Sequence, residues 1–314
     1  MLVAYDQNQQ LINLAEEIPN GNISFFCPAC KSPVRLKNGS VMKAHFAHVC
    51  LEQCRFASEN ESAQHLALKT KLYRWLHADE EVAVEQFLPE INQIADLLVN
   101  HRLALEVQCS SLSIERLRER TVAYRENGYQ VLWLLGKDLW IKDQLTPLQK
   151  QFLSFSRNMG FHLWELDLER QALRLRYLIH EDMHGKVQCL FKEFSFGQGN
   201  LLQLLRLPYQ RQKLACFQGK MDHQLPRYVA KQLYYQVPKW MKRQEVAYEK
   251  GENLLTCTVE EFYPQICPPQ SDIGFVQIIE DLTHYQERFI SYYKNQENKT
   301  EQILYPPTYY DCQR

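Results

Sequence analysis

Ile94-Ala95-Asp96-Leu97-Leu98-Val99, a polar pair Asn100-His101, then Arg102-Leu103-Ala104-Leu105-Glu106-Val107-Gln108-Cys109: this stretch decides the fold. Two short apolar runs joined by two turn-forming residues predict a pair of closely connected strands. Side chains alternate along a strand, so Leu103, Leu105 and Val107 share one face while Ala104, Glu106 and Gln108 share the other. Asp96 on one strand and Glu106 on the next are thereby presented near the middle of a sheet.

The flanking segments complete the unit. Upstream, Val82 to Leu88 reads as a further strand, stopped by Pro89. Before it, a helix is predicted from Glu61 to His77, with Leu68, Leu72, Trp75 and Leu76 on one stripe. Glu61 and His65 fall at the N-terminal end of that same stripe, facing inward. Downstream, Ser111 or Ser113 can cap a helix from Ile114 to Asn127, with Gly128 as its stop. Its buried stripe is Ile114, Leu117, Thr121 and Tyr124. The run from Tyr129 to Leu135 is almost wholly apolar, as a strand covered on both faces requires. The order helix, three strands, helix, strand predicts a small mixed α/β sheet flanked by helices.

Within this unit Glu61, Asp96 and Glu106 are expected to converge. Three carboxylates at one spot repel each other unless a hard cation neutralises them. Mg²⁺ suits oxygen ligands and keeps several waters. Such an ion polarises a scissile phosphate and lowers the pKa of an attacking water, which is what phosphodiester cleavage needs. The competing reading is that an Asp and a Glu on adjacent strands lie on a solvated face.

A second constellation lies near the N-terminus. Cys27-x2-Cys30 followed by His45-x2-His48 offers two thiolates and two imidazoles, a donor set suited to tetrahedral Zn²⁺ in a structural role. The histidine spacing is shorter than the about three to five intervening residues of a usual finger. Cys50 or Cys54 can therefore replace one histidine. The alternative is that His45 and His48 merely pack around Phe46. The remaining cysteines (Cys109, Cys189, Cys216, Cys257, Cys267 and Cys312) are scattered singly, which argues for a metal rather than disulfides.

Composition sets the outer limits. The chain has 314 residues, of which 45% are hydrophobic and 23% charged, enough for a sizeable core. Thirty-six basic and 37 acidic side chains leave a formal charge of -1, which excludes binding driven by overall charge. No stretch approaches the ~18 apolar residues of a membrane span, and the N-terminus does not read as a signal peptide. A soluble, cytoplasmic protein is expected.

The charge is unevenly spread. From Arg206 to Lys250 ten basic residues face three acidic ones, with Tyr209, Phe217, Tyr228, Tyr234, Tyr235, Trp240 and Tyr248 interleaved. Cations for phosphates and rings for stacking are what single-stranded nucleic acid binding uses, with Lys239, Trp240, Lys242 and Arg243 the densest group. The bland reading makes the aromatics core and the lysines ordinary surface. From Gly251 onward the balance turns acidic.

Ala95-Asp96, Glu106-Val107-Gln108 and Arg120-x3-Tyr124 together resemble the PD-(D/E)XK nuclease core. Adding Cys27-Pro28-Ala29-Cys30, His45-Phe46-Ala47-His48, Glu61-Ser62-x2-His65-x3-Lys69, Glu106-Val107-Gln108-Cys109-Ser110 and Tyr129-Gln130-Val131-Leu132-Trp133, the chain resembles the competence protein CoiA family over residues 1–140. The resemblance implies a role in natural transformation of bacteria: a metal-dependent DNA nuclease-like protein promoting recombination of imported single-stranded DNA, alongside recombination or competence proteins. It further implies Glu61, Asp96 and Glu106 as ligands of catalytic Mg²⁺ or Mn²⁺, with Arg120 and Tyr124 near the DNA. Gln108 stands where the motif usually has lysine and supplies no positive charge. Either His65 or Lys69 compensates, or the protein is a DNA-binding mediator that keeps the fold without cutting. The expected layout is a zinc-binding module over 1–58, the nuclease-like unit over 59–140 and a mostly helical C-terminal domain over 141–314.

Overall fold

The computed structural model describes residues 1–21, 23–39, 43–50, 54 and 62–312. Five short strands come first: β1 (Val3–Tyr5), β2 (Leu11–Asn13), β3 (Phe25–Phe26), β4 (Pro33–Lys37) and β5 (His45–His48). They form an antiparallel sheet in the order β2-β1-β3-β4-β5. Phe46 donates its N–H to Met1 O (2.8 Å) and the Met1 amine returns a bond to Phe46 O (3.2 Å), so the last strand curls back to the first. Val3, Phe25, Val34 and Phe46 are buried in this small module.

The central unit follows in the expected order: α1 (Ala63–Leu76), β6 (Val82–Leu88), β7 (Gln93–Val99), β8 (Leu103–Gln108), α2 (Ile114–Glu126) and β9 (Gln130–Leu135). Ser62 and Ser113 cap the two helices, each accepting a main-chain N–H three residues on. β6, β7 and β8 are antiparallel, and β9 runs parallel to β8, as a strand reached by a helical crossover must.

The sheet does not end at residue 140. After α3 (Pro147–Gln151) come β10 (Ser154–Ser156), β11 (Gly160–Asp167), β12 (Ala172–Glu181) and β13 (Val187–Ser195). The order β13-β12-β11-β9-β8-β7-β6 makes one continuous sheet, with β10 paired to β11. The boundary expected at 140 thus falls inside the sheet, and the start of the segment expected to be mostly helical is strand. The sequence hides this because β11 and β12 are buried on both faces and carry their charges inside. Arg174 reaches Glu165 (3.2 Å), Asp167 (3.4 Å) and Glu193 (3.1 Å), so a charged residue there does not mark a solvated face. The chain closes with α4 (Leu201–Leu205), β14 (Phe217–Gln218), α5 (Leu225–Tyr234), α6 (Pro238–Glu249), α7 (Thr283–Lys294), β15 (Ile303–Leu304) and α8 (Pro307–Asp311).

Two cores sandwich the sheet. On one face α1, α4 and the N-terminal module pack through Leu68, Leu72, Leu105, Leu134, Leu175 and Leu202. On the other, α2, α7 and α8 pack through Leu117, Trp133, Leu135, Ile179, Phe289 and Tyr310. This double cover explains the apolar run into β9. Among the described residues no helix is long and apolar enough to cross a membrane.

Two histidines make the stability sensitive to pH. His162 and His180 are buried, each with Nδ1 bonded to the carbonyl two residues earlier (3.0 and 2.7 Å) and Nε2 without a partner. Burial pushes both imidazoles down to about 4. They stay neutral in the folded chain, while the unfolded chain takes up protons below about 6.5. The stability they support is complete above that value and is lost as pH falls toward the folded pKa. At pH ~5 each imidazole is expected to cost about 2 kcal/mol relative to pH ~7. Urea unfolding across this range checks it: His162→Gln and His180→Gln should each flatten the decline, and an unchanged slope in both would contradict it.

Candidate active site and metal centre

The sheet forks at Asp96. β6 and β7 keep one register from Val82↔Val99 to Leu88↔Gln93, yet Glu85 and Asp96, which should face each other, leave the ladder. Glu85 sits at φ 48°, a left-handed conformation uncommon for a residue with a side chain. The alternation flips there. Val84, Leu97 and Val99 join the core on the α1 face, while Leu88 and Ala95 join the one beneath Tyr124. Pairing of β7 with β8 stops at Leu97↔Leu105. Beyond it the Val107 N–H donates to Asp96 Oδ2 (2.9 Å), so a carboxylate replaces a main-chain rung.

Two α1 side chains one turn apart reach this carboxylate. His65 Nε2 lies 3.1 Å from Asp96 Oδ2, and Lys69 Nζ lies 3.5 Å from Oδ1. Lys69 is 0% exposed. Its ammonium also stands 2.5 Å from Glu85 Oε1, while Glu85 Oε2 accepts the N–H groups of Leu2 (2.7 Å) and Val3 (3.2 Å). Burial works to raise the pKa of Asp96, but the charges of His65 and Lys69, with the bonds from His65 and Val107, hold it well below the usual carboxylate range. Asp96 is ionised at any working pH.

Glu106 is held from the α2 side. It is 1% exposed, with Oε2 2.7 Å from an Arg120 guanidinium nitrogen and Oε1 accepting the Tyr124 hydroxyl in a short bond. Arg120 lies over the ring of Trp133, 5.2 Å from its centroid. Burial, then the Glu106 charge, raises the Tyr124 phenol far above its ordinary value, so it remains a donor; the Asp96 charge adds to the effect. Gln108 turns its amide to Ser110 O (2.8 Å).

The structure therefore gathers His65, Lys69 and Asp96 in one group, and Glu106, Arg120 and Tyr124 in another. Glu61 lies outside the described residues. Arg120 and Tyr124, expected near DNA, are instead buried on the inward side of α2, where they clamp Glu106. Trp240 is likewise corrected. It is 2% exposed, packed with Leu225, Val229 and Phe262, beneath Arg243 at 4.8 Å and edge-on to Tyr228 at 5.8 Å. Lys239 and Lys242 remain exposed on α6, and the open aromatics on α5, α6 and the turn between them are Tyr234 (81% exposed), Tyr235 and Tyr248. Glu85 was missed altogether. Its burial depends on the local kink and on a strand 82 residues upstream, neither of which leaves a local pattern.

The N-terminal cluster is a second site. After β3 the chain turns tightly, with Lys31 N–H bonded to Cys27 O (3.0 Å) and Cys27 N–H to Ser32 O (2.9 Å), bringing Cys27 and Cys30 together. Ligand atoms of Cys27, Cys30, His48 and Cys54 all lie within 4.8 Å of one another. Cys30 Sγ is 3.4 Å from His48 Nε2. His45 is not part of this group: it bonds Lys43 O through Nδ1 (2.9 Å). The two histidines sit three apart on β5 and so point to opposite faces. Cys54, rather than the exposed Cys50, takes the fourth position. Three thiols and an imidazole fit a soft-to-borderline ion such as Zn²⁺.

Known proteins match both regions. The family model described as "Competence protein CoiA, N-terminal domain" matches residues 7–57, and that described as "Competence protein CoiA, nuclease-like domain" matches residues 61–207. The second match extends past residue 140, through β13. The "Competence protein CoiA" of Bacillus subtilis (strain 168) is 34% identical over 145 residues, 45% of this chain and 36% of the relative's length. No solved structure matches the chain significantly. With the Cys/His cluster inside the first matched region and the Asp96 and Glu106 groups inside the second, the chain belongs to the CoiA family of competence proteins.

Proposed function

We propose that this protein acts in the cytoplasm on single-stranded DNA imported during natural transformation, together with recombination or competence proteins, and that its nuclease-like domain cleaves phosphodiester bonds with Mg²⁺ or Mn²⁺ at Asp96, Glu106 and Glu61. The observation that carries this reading is Lys69. Position 108 holds glutamine, yet a buried ammonium arrives from α1 at 3.5 Å from Asp96. The charge missing from β8 is thus supplied by another element.

The donors available to a hard cation here would be the carboxylates of Asp96 and Glu106. Mg²⁺ needs only one or two protein carboxylates, with waters and substrate phosphate oxygens completing its shell. Glu85 and Asp96 share Lys69 while Glu106 is paired separately with Arg120, so an ion at this site would have to draw the Asp96 and Glu106 carboxylates together. A divalent ion bound there would polarise a phosphate and acidify a water. The chain's own part is to keep Asp96 ionised through Lys69, His65 and the Val107 N–H, and to hold Glu106 through Arg120 and Tyr124. His65 donates its Nε2–H to the ionised Asp96 and so helps hold that carboxylate in place.

One observation favours the second reading, a DNA-binding mediator without cleavage. Both oxygens of Glu106 are already engaged, and taking a metal would require Arg120 or Tyr124 to yield one. Labelled single- and double-stranded DNA incubated with the full chain, with and without Mg²⁺ or Mn²⁺, separates the two. Cutting by wild type, abolished by Asp96→Ala and Glu106→Ala and reduced about a hundredfold or more by Lys69→Met, supports nuclease action. Binding without cutting in either metal supports the mediator.

The Cys/His cluster is read as a structural zinc site that holds a module too small to rest on its own core. Elemental analysis should find one zinc per chain in wild type, His45→Ala and Cys50→Ser. Cys54→Ala should lose zinc and lower the unfolding temperature. Retention of full zinc in Cys54→Ala, with loss in His45→Ala, would overturn the ligand set.

A further inference from the structure

Glu85 belongs to neither motif, yet its carboxylate joins two parts of the molecule. Oε1 takes the Lys69 ammonium at 2.5 Å, and Oε2 takes the N–H groups of Leu2 and Val3, at the edge of the N-terminal module. The group is 7% exposed, on a residue in the left-handed region. A strained non-glycine backbone persists where the surroundings over-determine it, and such positions cluster at functional sites.

The geometry points to Glu85 as a positioning residue that couples docking of β1 to the placement of Lys69 beside Asp96. The chemistry requires an anion here. The ammonium and both main-chain N–H groups only donate, so one side chain must accept on both ends. With β1 docked, Oε2 is fixed and Oε1 can lie only toward Lys69. With β1 displaced, Oε2 turns to water and the ammonium loses a fixed neighbour. β1 is itself held by β3, through Tyr5↔Phe26, and the Cys27-to-Cys30 turn follows β3 directly. A contiguous set of contacts therefore runs from the Cys/His cluster through β1, Glu85 and Lys69 to Asp96.

The catalytic half of this inference rests on the nuclease reading; the docking half does not, and the test has an arm for each. Glu85→Gln keeps the shape but turns an NH2 against either the β1 N–H groups or the ammonium. In the full chain, hydrogen exchange of the peptide covering residues 1–6 should accelerate about tenfold or more, with zinc content unchanged. DNA cleavage should fall about tenfold in kcat with KM nearly unchanged. Lys69→Met should loosen the same peptide, and adding Glu85→Gln to it should loosen it no further, because the two act as one unit. Exchange at the wild-type rate in Glu85→Gln, or a loss confined to KM, overturns the coupling. If Glu85→Gln does not fold, exchange in Lys69→Met decides alone: faster at residues 1–6 supports the coupling, unchanged overturns it. If wild type does not cut DNA, the nuclease reading falls while the exchange arm still decides the docking claim.

Discussion

A carboxylate can be buried as an anion only if cations and donors face it, since an uncompensated buried charge costs more than any neighbouring contact returns. That constraint organises the middle of this molecule. Asp96 stands where a ladder rung should be and is satisfied by Val107 N–H, His65 and Lys69. Glu106, one strand over, is satisfied by Arg120 and Tyr124. Glu85 completes the set by sharing Lys69. Each helix contributes its pair at i, i+4 spacing, so the placement of α1 and α2 on the two faces follows from the same requirement as the chemistry.

The fork also explains why a sheet with so apolar a centre tolerates so much charge. Separation of β7 and β8 beyond Leu97↔Leu105 leaves main-chain groups in need of partners, and Asp96 supplies one. The flip at Glu85 turns a second acid toward α1 that a regular strand would send elsewhere. Charge and backbone irregularity are thus two aspects of one feature.

Much of this was legible in sequence. The element order from α1 to β9 follows from helix caps, Pro89, Gly128 and the apolar run into β9, all local signals. The inward stripe of α1 revealed His65, and the departure at Gln108 directed attention to Lys69. What escaped detection depends on distant partners. Cys54 completes the Cys/His cluster because His45 and His48 fall on opposite faces of a strand, and β5 is short enough to be overlooked as one. β11 and β12 bury arginines against Glu165 and Asp167, which breaks the polar-out rule that marks strands. Trp240 reads as a stacking ring until α5 and α6 close over it, and Glu85 is silent until Leu2 and Val3 arrive.

Crystals of the full chain soaked in Mn²⁺, with anomalous scattering recorded at the manganese edge, give the most direct measurement of what the fork is for. A peak within coordination distance of an Asp96 oxygen, with Glu106 released from Arg120 or Tyr124 toward it, is the predicted result. Density showing Lys69 and Arg120 still in their bridges, with no peak at the fork under saturating metal, would contradict a divalent-ion site there.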